Sequence, residues 1–239
     1  MYIDLHNHIL PGLDDGARDM KQSHEMLKIA YENHISVIVA TPHNKANRHN
    51  PGKDTIEKYV AQLQEYADEQ GYGIRLYSGT EFFYRSELTE LLNQQEVCTM
   101  AGTSYVLVEF SPLDNYAYIR DGLYNLLAAG YRPIIAHIER YQCVMKDQRL
   151  VDELIDMGCF AQVNAGSILG KFGFHTKSDT KKLLKNGRVH FIASDAHNDK
   201  ERAPELELCA RKLYRIYAKA YIDDLLFQNA KKLLANEYI

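Results

Sequence analysis

Two histidines separated by one residue, in Asp4-Leu5-His6-Asn7-His8, close a short apolar run near the start of the chain. Side chains alternate along a strand, so His6 and His8 share one face at a strand end and can reach one cation, with Asn7 turned away. Just beyond them, Gly12, Asp14, Asp15 and Gly16 make a glycine-flanked acidic turn that can bring a hard oxygen ligand to the same point. A His-x-His pair alone is weak evidence. It gains weight because further imidazoles and carboxylates stand where later apolar runs end: His43 after Pro42, Glu81 after Gly79-Thr80, Glu109, His137, and Asp195 with His197. This mixed set has no thiolate and suits Mn, Fe or Zn. It exceeds the needs of one tetrahedral ion, so two or three ions with a bridging carboxylate are expected. His24, His34, His49, His175 and His190 fall on helices or loops and read as ordinary residues, with His49 set apart because its loop can overhang the site.

The elements that must position these groups follow from hydrophobic patterning. After the first run, apolar stretches at 37–41, 73–79, 105–110, 132–137, 160–164 and 189–194 read as strands. Helical spacing predicts helices over 18–34, 54–70, 85–95, 119–129, 147–157 and 176–186, several closed by glycine, and helix from Ala203 onward in two segments. Seven strands alternating with helices call for a parallel sheet with right-handed crossovers. Charged residues at successive strand ends fit an α/β fold of the distorted (β/α) barrel kind, with its active face at the C-terminal ends of the strands. An open doubly wound sheet accounts for the spread of ligands less well, because it binds at one switch point. No linker, repeat or low-complexity tract divides residues 1–239, so a single domain is expected.

Composition narrows the function classes. At 239 residues, 46% hydrophobic and 25% charged, the chain has ordinary globular values. A net charge of −4 gives no basic stripe for nucleic acid. No apolar run approaches a membrane span and no signal peptide is visible, so a cytoplasmic protein without membrane insertion is expected. Cys98, Cys143, Cys159 and Cys209 are scattered, which fits reduced thiols. Cys143 has Arg149 at the spacing of a thiolate phosphatase loop, but residues 144–148 contain no glycine to form the cradle. No GxSxG elbow or Walker A motif occurs. The inventory therefore favours hydrolysis at phosphorus with water activated by metal.

Five separated segments carry a resemblance: Asp4-Leu5-His6-Asn7-His8, Ala40-Thr41-Pro42-His43, Gly79-Thr80-Glu81, Ala136-His137-Ile138-Glu139-Arg140-Tyr141 and Ser194-Asp195-Ala196-His197. Together they resemble a polymerase-and-histidinol-phosphatase (PHP) metal domain. More narrowly, Gly12-Leu13-Asp14-Asp15-Gly16-Ala17 and the Ala136–Tyr141 segment resemble the bacterial manganese-dependent tyrosine phosphatases of the CpsB/CapC type, encoded with capsule and exopolysaccharide genes. The similarity runs almost end to end. It implies a distorted seven-stranded barrel with three divalent metal ions, manganese above all, with iron or zinc as alternatives. By motif, His6, His8 and Asp195 would hold one ion, Glu81 would bridge it to a second completed by Glu109 and His137, and Asp15, His43 and His197 would hold the third. Arg140 and Arg202 would engage the phosphate; by itself Arg140 reads as a surface ion pair with Glu139. Many relatives carry a second histidine after the Pro-His of the second strand, where this chain has Asn44.

The resemblance implies a protein-tyrosine phosphatase acting on the tyrosine-rich tail of a cognate bacterial tyrosine kinase in polysaccharide synthesis. Asp4 is expected to orient a ligand from behind. One alternative is a small-molecule phosphoesterase of the histidinol-phosphate type, which would share the metals and differ in its pocket. Another is a non-catalytic regulator that binds the kinase.

Overall fold

A computed structural model describes residues 1–46 and 50–239, so His49 lies outside the described residues. Every paired strand is parallel. β1 (Tyr2–Asn7), β2 (Ile35–Ala40) and β4 (Arg75–Ser78) form one sheet in the order β1-β2-β4. β3 (His43–Asn44), β5 (Glu81–Phe83), β6 (Tyr105–Glu109), β7 (Arg132–Ile135), β8 (Phe160–Asn164) and β9 (Phe191–Ala193) form a second, in that order.

The two extra strands have a local cause. Pro42 has no N–H to give a ladder, and the Thr41-Pro42 step separates β2 from β3. Gly79-Thr80 separates β4 from β5 at the matching position. At Gly79 a Cβ would meet Val39 Cγ1 at 2.8 Å, so glycine lets the chain just past β4 lie this close to β2. The halves stay laced together, with Gly79 N–H donating to Ala40 O at 2.9 Å and Glu81 N–H to Pro42 O at 3.1 Å. The expected strands at 37–41 and 73–79 are therefore each followed by a separate short strand, and Glu81 opens one of these. At the other edge, Asp195 N–H donates to His6 O and His8 N–H to Ala196 O, at 2.9 and 2.8 Å, which ties the chain just past β9 to β1. The result is a mixed α/β fold with a strongly curled parallel sheet.

Helices cover the outside: α1 (Met20–Glu32), α2 (Lys53–Glu69), α3 (Leu88–Asn93), α4 (Tyr116–Ala128), α5 (Gln142–Lys146), α6 (Arg149–Asp156), α7 (Ala165–Leu169), α8 (Phe174–Lys185) and α9 (Glu207–Tyr214). The predicted 147–157 helix is preceded by the extra helix α5. α7 was also unexpected; both are a little over one turn, too short for periodicity to register. The last helical stretch begins at Glu207 rather than Ala203, and then runs as α10 (Lys219–Asp223), a π-turn at Asp224–Gln228, and α11 (Asn229–Leu234). Among the described residues no helix is long and apolar enough to cross a membrane.

Two apolar layers result. The larger lies between strands and helices, with Val106, Val108, Phe110, Ala161, Val163 and Ile192 on the strand side. The smaller lies inside the curl, where Ile3, Leu5, Tyr105, Leu107, Ile134 and Phe160 meet Ala230 and Leu233 of α11. Alternation would send Leu5 and His6 to opposite faces. The β1–β2 register shifts between Asp4 and Asn7, so that Leu5 fills the inner layer and His6, His8 still open into the same interior above it.

His190, just before β9, accepts the Ala161 N–H at 3.1 Å through Nδ1, its ring edge-on to Phe160. Burial pushes its imidazole down from 6.5 to about 4. A depressed folded value means that the unfolded chain binds the proton first, so stability is lost as pH falls through this window. The stability advantage of the wild type over His190→Gln, measured by urea unfolding, should shrink by about 3 kcal/mol between pH 7 and pH 4. An unchanged difference would contradict this.

Candidate metal centre

The strand ends converge. Glu81, the first residue of β5, is 1% exposed and stands at the middle of the cluster. Its Oε2 lies 3.2 Å from His6 Nε2, 3.2 Å from His8 Nε2 and 2.9 Å from His43 Nδ1, and its Oε1 lies 3.0 Å from His137 Nε2. Glu109, at the end of β6, places Oε1 3.5 Å from His137 Nε2 and Oε2 3.7 Å from His43 Nδ1. Asp195 Oδ1 faces His6, His8 and His197 at 3.5, 3.6 and 3.5 Å.

Three groups have their ligand atoms within 4.8 Å of one another: His8, Asp15, His43 and His197; His6, His8 and Glu81; and His43, Glu81 and Glu109. Every one of the nine sequence-predicted metal ligands except His137 and Asp195 falls in a group, and those two touch grouped residues at the distances above.

The acidic turn separates its two aspartates. Gly16 has no side chain because a Cβ there would sit 2.2 Å from His8 O, and this close approach lays the turn against His8. Asp14 Oδ2 then meets His8 Nδ1 at 2.7 Å and accepts the His43 N–H at 2.9 Å, while Oδ1 accepts the Gly16 N–H at 2.8 Å. Asp14 fixes the His8 ring and leaves Nε2 to the cluster. Asp15, 61% exposed, instead reaches His43 Nε2 at 3.3 Å and His197 Nε2 at 3.7 Å.

Among the described residues Asp4 touches no imidazole. Its carboxylate accepts the Ser194 N–H at 2.8 Å, the Ser194 hydroxyl at 2.5 Å and the Asn7 amide at 2.9 Å. What it holds is the residue before Asp195. Orientation of His6 and His137 falls to a residue that sequence reasoning missed. Gln162 Oε1 lies 3.2 Å from His6 Nδ1 and accepts the His137 N–H at 2.9 Å. Its amide donates to Asn164 Oδ1 at 2.8 Å, and the Asn164 amide donates to Asp195 Oδ2 at 2.6 Å. The available signal was polar residues at i and i+2 in an otherwise apolar buried strand.

Both expected arginines are present at the rim. Arg140 Nη2 lies 2.9 Å and Arg202 Nη2 2.8 Å from Asp195 Oδ2. Arg140 therefore pairs with Asp195, not with the buried Glu139, whose Oε1 accepts the Asn164 N–H. His137 and Asp195 take left-handed backbone angles, φ 34° and 53°, an uncommon region for these residues that costs strain and turns the chain sharply at the strand ends.

Electrostatics and hydrogen bonding both fit a bound cation. Burial opposes charge on His8, but the Asp14 and Glu81 carboxylates outweigh it and hold the imidazole up at about 10; His6 is likewise raised despite burial, by Glu81 and Asp195. Burial opposes charge on Glu81, and the surrounding imidazoles still keep it well below the usual carboxylate range. His197 is pushed down to about 3 by burial and by His8. The field that retains protons on His6 and His8 also favours a divalent ion in their place. Glu81 Oε2, Glu109 Oε2, His43 Nδ1 and His137 Nδ1 are buried and, among the described residues, face no partner in hydrogen-bonding geometry, as unused ligand atoms or their neighbours would be. The donor set is imidazole and carboxylate, suited to first-row divalent ions.

Known proteins are similar to this chain over almost all of its length. A family model described as capsular polysaccharide synthesis, CpsB/CapC, matches residues 2–235. The tyrosine-protein phosphatase CpsB of Streptococcus agalactiae serotype V is 31% identical over 242 residues, covering 99% of this chain and 100% of its own. The tyrosine-protein phosphatase YwqE of Bacillus subtilis is 32% identical over 238 residues, covering 99% and 93%. Among solved structures, one described as YwqE from Bacillus subtilis and CpsB from Streptococcus pneumoniae, unique metal-dependent tyrosine phosphatases, superposes with a TM-score of 0.93 at 31% identity over 99% of this chain and 96% of its own. Histidinol phosphate phosphatase from Lactococcus lactis, with a TM-score of 0.57 at 12% identity over 98% of this chain and 92% of its own, shares the fold alone. By the family model and by identity over its whole length, the chain belongs to the CpsB/CapC family of capsular polysaccharide synthesis.

Proposed function

We propose that this chain is a metal-dependent protein-tyrosine phosphatase. The carrying observation is a buried imidazole–carboxylate cluster with two guanidinium groups pinned at its rim, in a chain whose relatives are named tyrosine-protein phosphatases. In this reading residues 1–239 are one domain, and β2 with β3 and β4 with β5 count as single interrupted strands of a seven-stranded barrel closed between β9 and β1. His6, His8 and Asp195 would hold one ion, Glu81, Glu109 and His137 a second, and Asp15, His43 and His197 a third, all most naturally manganese. Bound divalent ions would neutralise phosphate oxygens and lower the pKa of a water toward neutrality.

The protein's own side chains do the rest. Arg140 and Arg202 bind the phosphate oxygens and stabilise charge that grows on them, their planar forks suiting a tetrahedral oxyanion. Asp195 keeps both forks at the rim. Asp14 and Gln162 hold the rings of His8 and His6, and Asp4 acts through Ser194. The rim is open, with Asp15 61%, Arg202 31% and Arg140 28% exposed, which admits a tyrosine side chain still attached to a protein. The substrate is the tyrosine-phosphorylated tail of a bacterial kinase in capsule or exopolysaccharide synthesis, met in the cytoplasm.

The test is hydrolysis of a phosphotyrosine peptide and of histidinol phosphate by chelator-stripped protein, with manganese, zinc, magnesium or no metal returned. Peptide turnover restored by manganese is the expected outcome. Preference for histidinol phosphate would move the protein to small-molecule chemistry. Silence toward both would leave a kinase-binding role.

A further inference from the structure

Phe172 occupies an unusual place beside Arg140. The Arg140 guanidinium carbon stands 5.0 Å from the centroid of the Phe172 ring. On the other side the ring lies against Gly166, where a Cβ would meet Phe172 Cε2 at 2.8 Å. Gly166 belongs to α7, which starts directly after Asn164, the residue whose amide holds Asp195. The ring thus fills the gap between α7 and the guanidinium. It is the shared wall of a small crevice bounded by Asp195 and Arg202 and a groove of about 430 Å³ bounded by Arg140, Met145 and His175.

Among the described residues Arg140 has one charged anchor, Asp195 Oδ2 at 2.9 Å. A single anchor at one nitrogen leaves the guanidinium plane free to swing about that contact. An aromatic face beneath it removes that freedom, because a cation is attracted to the ring face and a planar cation lies along it. Phe172 is also 40% exposed, a large apolar ring left at the mouth of a polar site. We infer that Phe172 is a positioning residue that sets the plane of the Arg140 fork, so that its remaining N–H groups meet the phosphate oxygens of an aryl phosphate, and that Gly166 is small to admit the ring. The inference rests on the phosphomonoesterase reading of the site.

The test compares wild type, Phe172→Ala, Phe172→Tyr and Gly166→Ala, each with and without Arg140→Ala, in metal-loaded protein. Two quantities are read: the affinity for inorganic phosphate by calorimetry, and kcat/KM on a phosphotyrosine peptide. Phe172→Ala should lower both by about tenfold, the scale of a partly desolvated cation–π contact. Phe172→Tyr keeps the ring face and should restore both to within about twofold. Gly166→Ala should reduce both by several-fold by displacing the ring, yet hold or raise the melting temperature, since alanine is favoured over glycine in a helix and φ there is not positive. In the Arg140→Ala background none of these changes should cost anything more.

Equal losses with and without Arg140 would overturn the inference, as would unchanged phosphate affinity in Phe172→Ala. Absence of peptide turnover in the wild type would instead remove the phosphatase reading, and the calorimetric comparison would still decide whether Phe172 acts through Arg140.

Discussion

Glu81→Gln lowers phosphotyrosine-peptide turnover by about three orders of magnitude or more and removes at least one ion per chain, because Glu81 stands at the middle of the residues that would hold the ions, and bound divalent ions would supply an activated water and charge neutralisation. Its two oxygens stand within 2.9–3.2 Å of four imidazoles, those of His6, His8, His43 and His137. It is the most central carboxylate of the cluster and only 1% exposed. Glutamine keeps the shape of the side chain and leaves the strand pairing in place, since the Glu81 N–H donates to Pro42 O whatever the side chain. It removes the negative charge and turns an amide NH2 toward nitrogens that need their lone pairs for a cation. Metal content by plasma mass spectrometry and turnover of the same sample check the prediction. Full metal occupancy with wild-type turnover would sink the assigned role.

Asp195→Asn is the second large effect, and its geometry makes it clean. Asp195 has φ 53°, a region that asparagine also tolerates, so the backbone turn survives. What is lost is the charge on an oxygen shared by Arg140, Arg202 and Asn164, and on the oxygen that faces three imidazoles. Turnover should fall by about a hundredfold, as when a preorganised charge-stabilising group is removed. The metal-stripped protein should also lose about 1–2 kcal/mol, because two partly buried guanidinium groups are left without their carboxylate. Steady-state kinetics and urea unfolding of stripped protein read the two effects separately. A variant with wild-type kcat/KM would show that Asp195 is only structural.

Much of the centre is legible in the chain because ligands sit at the ends of apolar runs, and a run's end is a local property. His6 and His8 lie two apart, the spacing at which strand side chains share a face, and both do enter one interior. Glu81, Glu109, His137 and Asp195 each follow an apolar run by one or a few residues, and parallel pairing carries all such ends to one side of the sheet. The resemblance to CpsB/CapC phosphatases rests on these same segments, and the family match spans residues 2–235.

Other features could not be read this way. Asp14 and Asp15 are adjacent and chemically identical; only the contact of Gly16 with His8 sends one to the imidazole Nδ1 and the other to the open rim. Arg140 appeared matched to its neighbour Glu139, yet pairs with Asp195, 55 positions away. Gln162 and Asn164 look like strand residues until β8 is placed between β7 and β9, where they link His6, His137 and Asp195.

The sequence by itself determined the parallel α/β class, the supply of imidazole and carboxylate ligands at strand ends, and the family, because hydrophobic period and motif spacing are written within short windows of chain. Tertiary structure alone decided where β2 and β4 break, which face His6 takes after the register shift, and which partner each charged group meets. Those outcomes depend on the approach of segments far apart in sequence, and no local pattern encodes the distance between them.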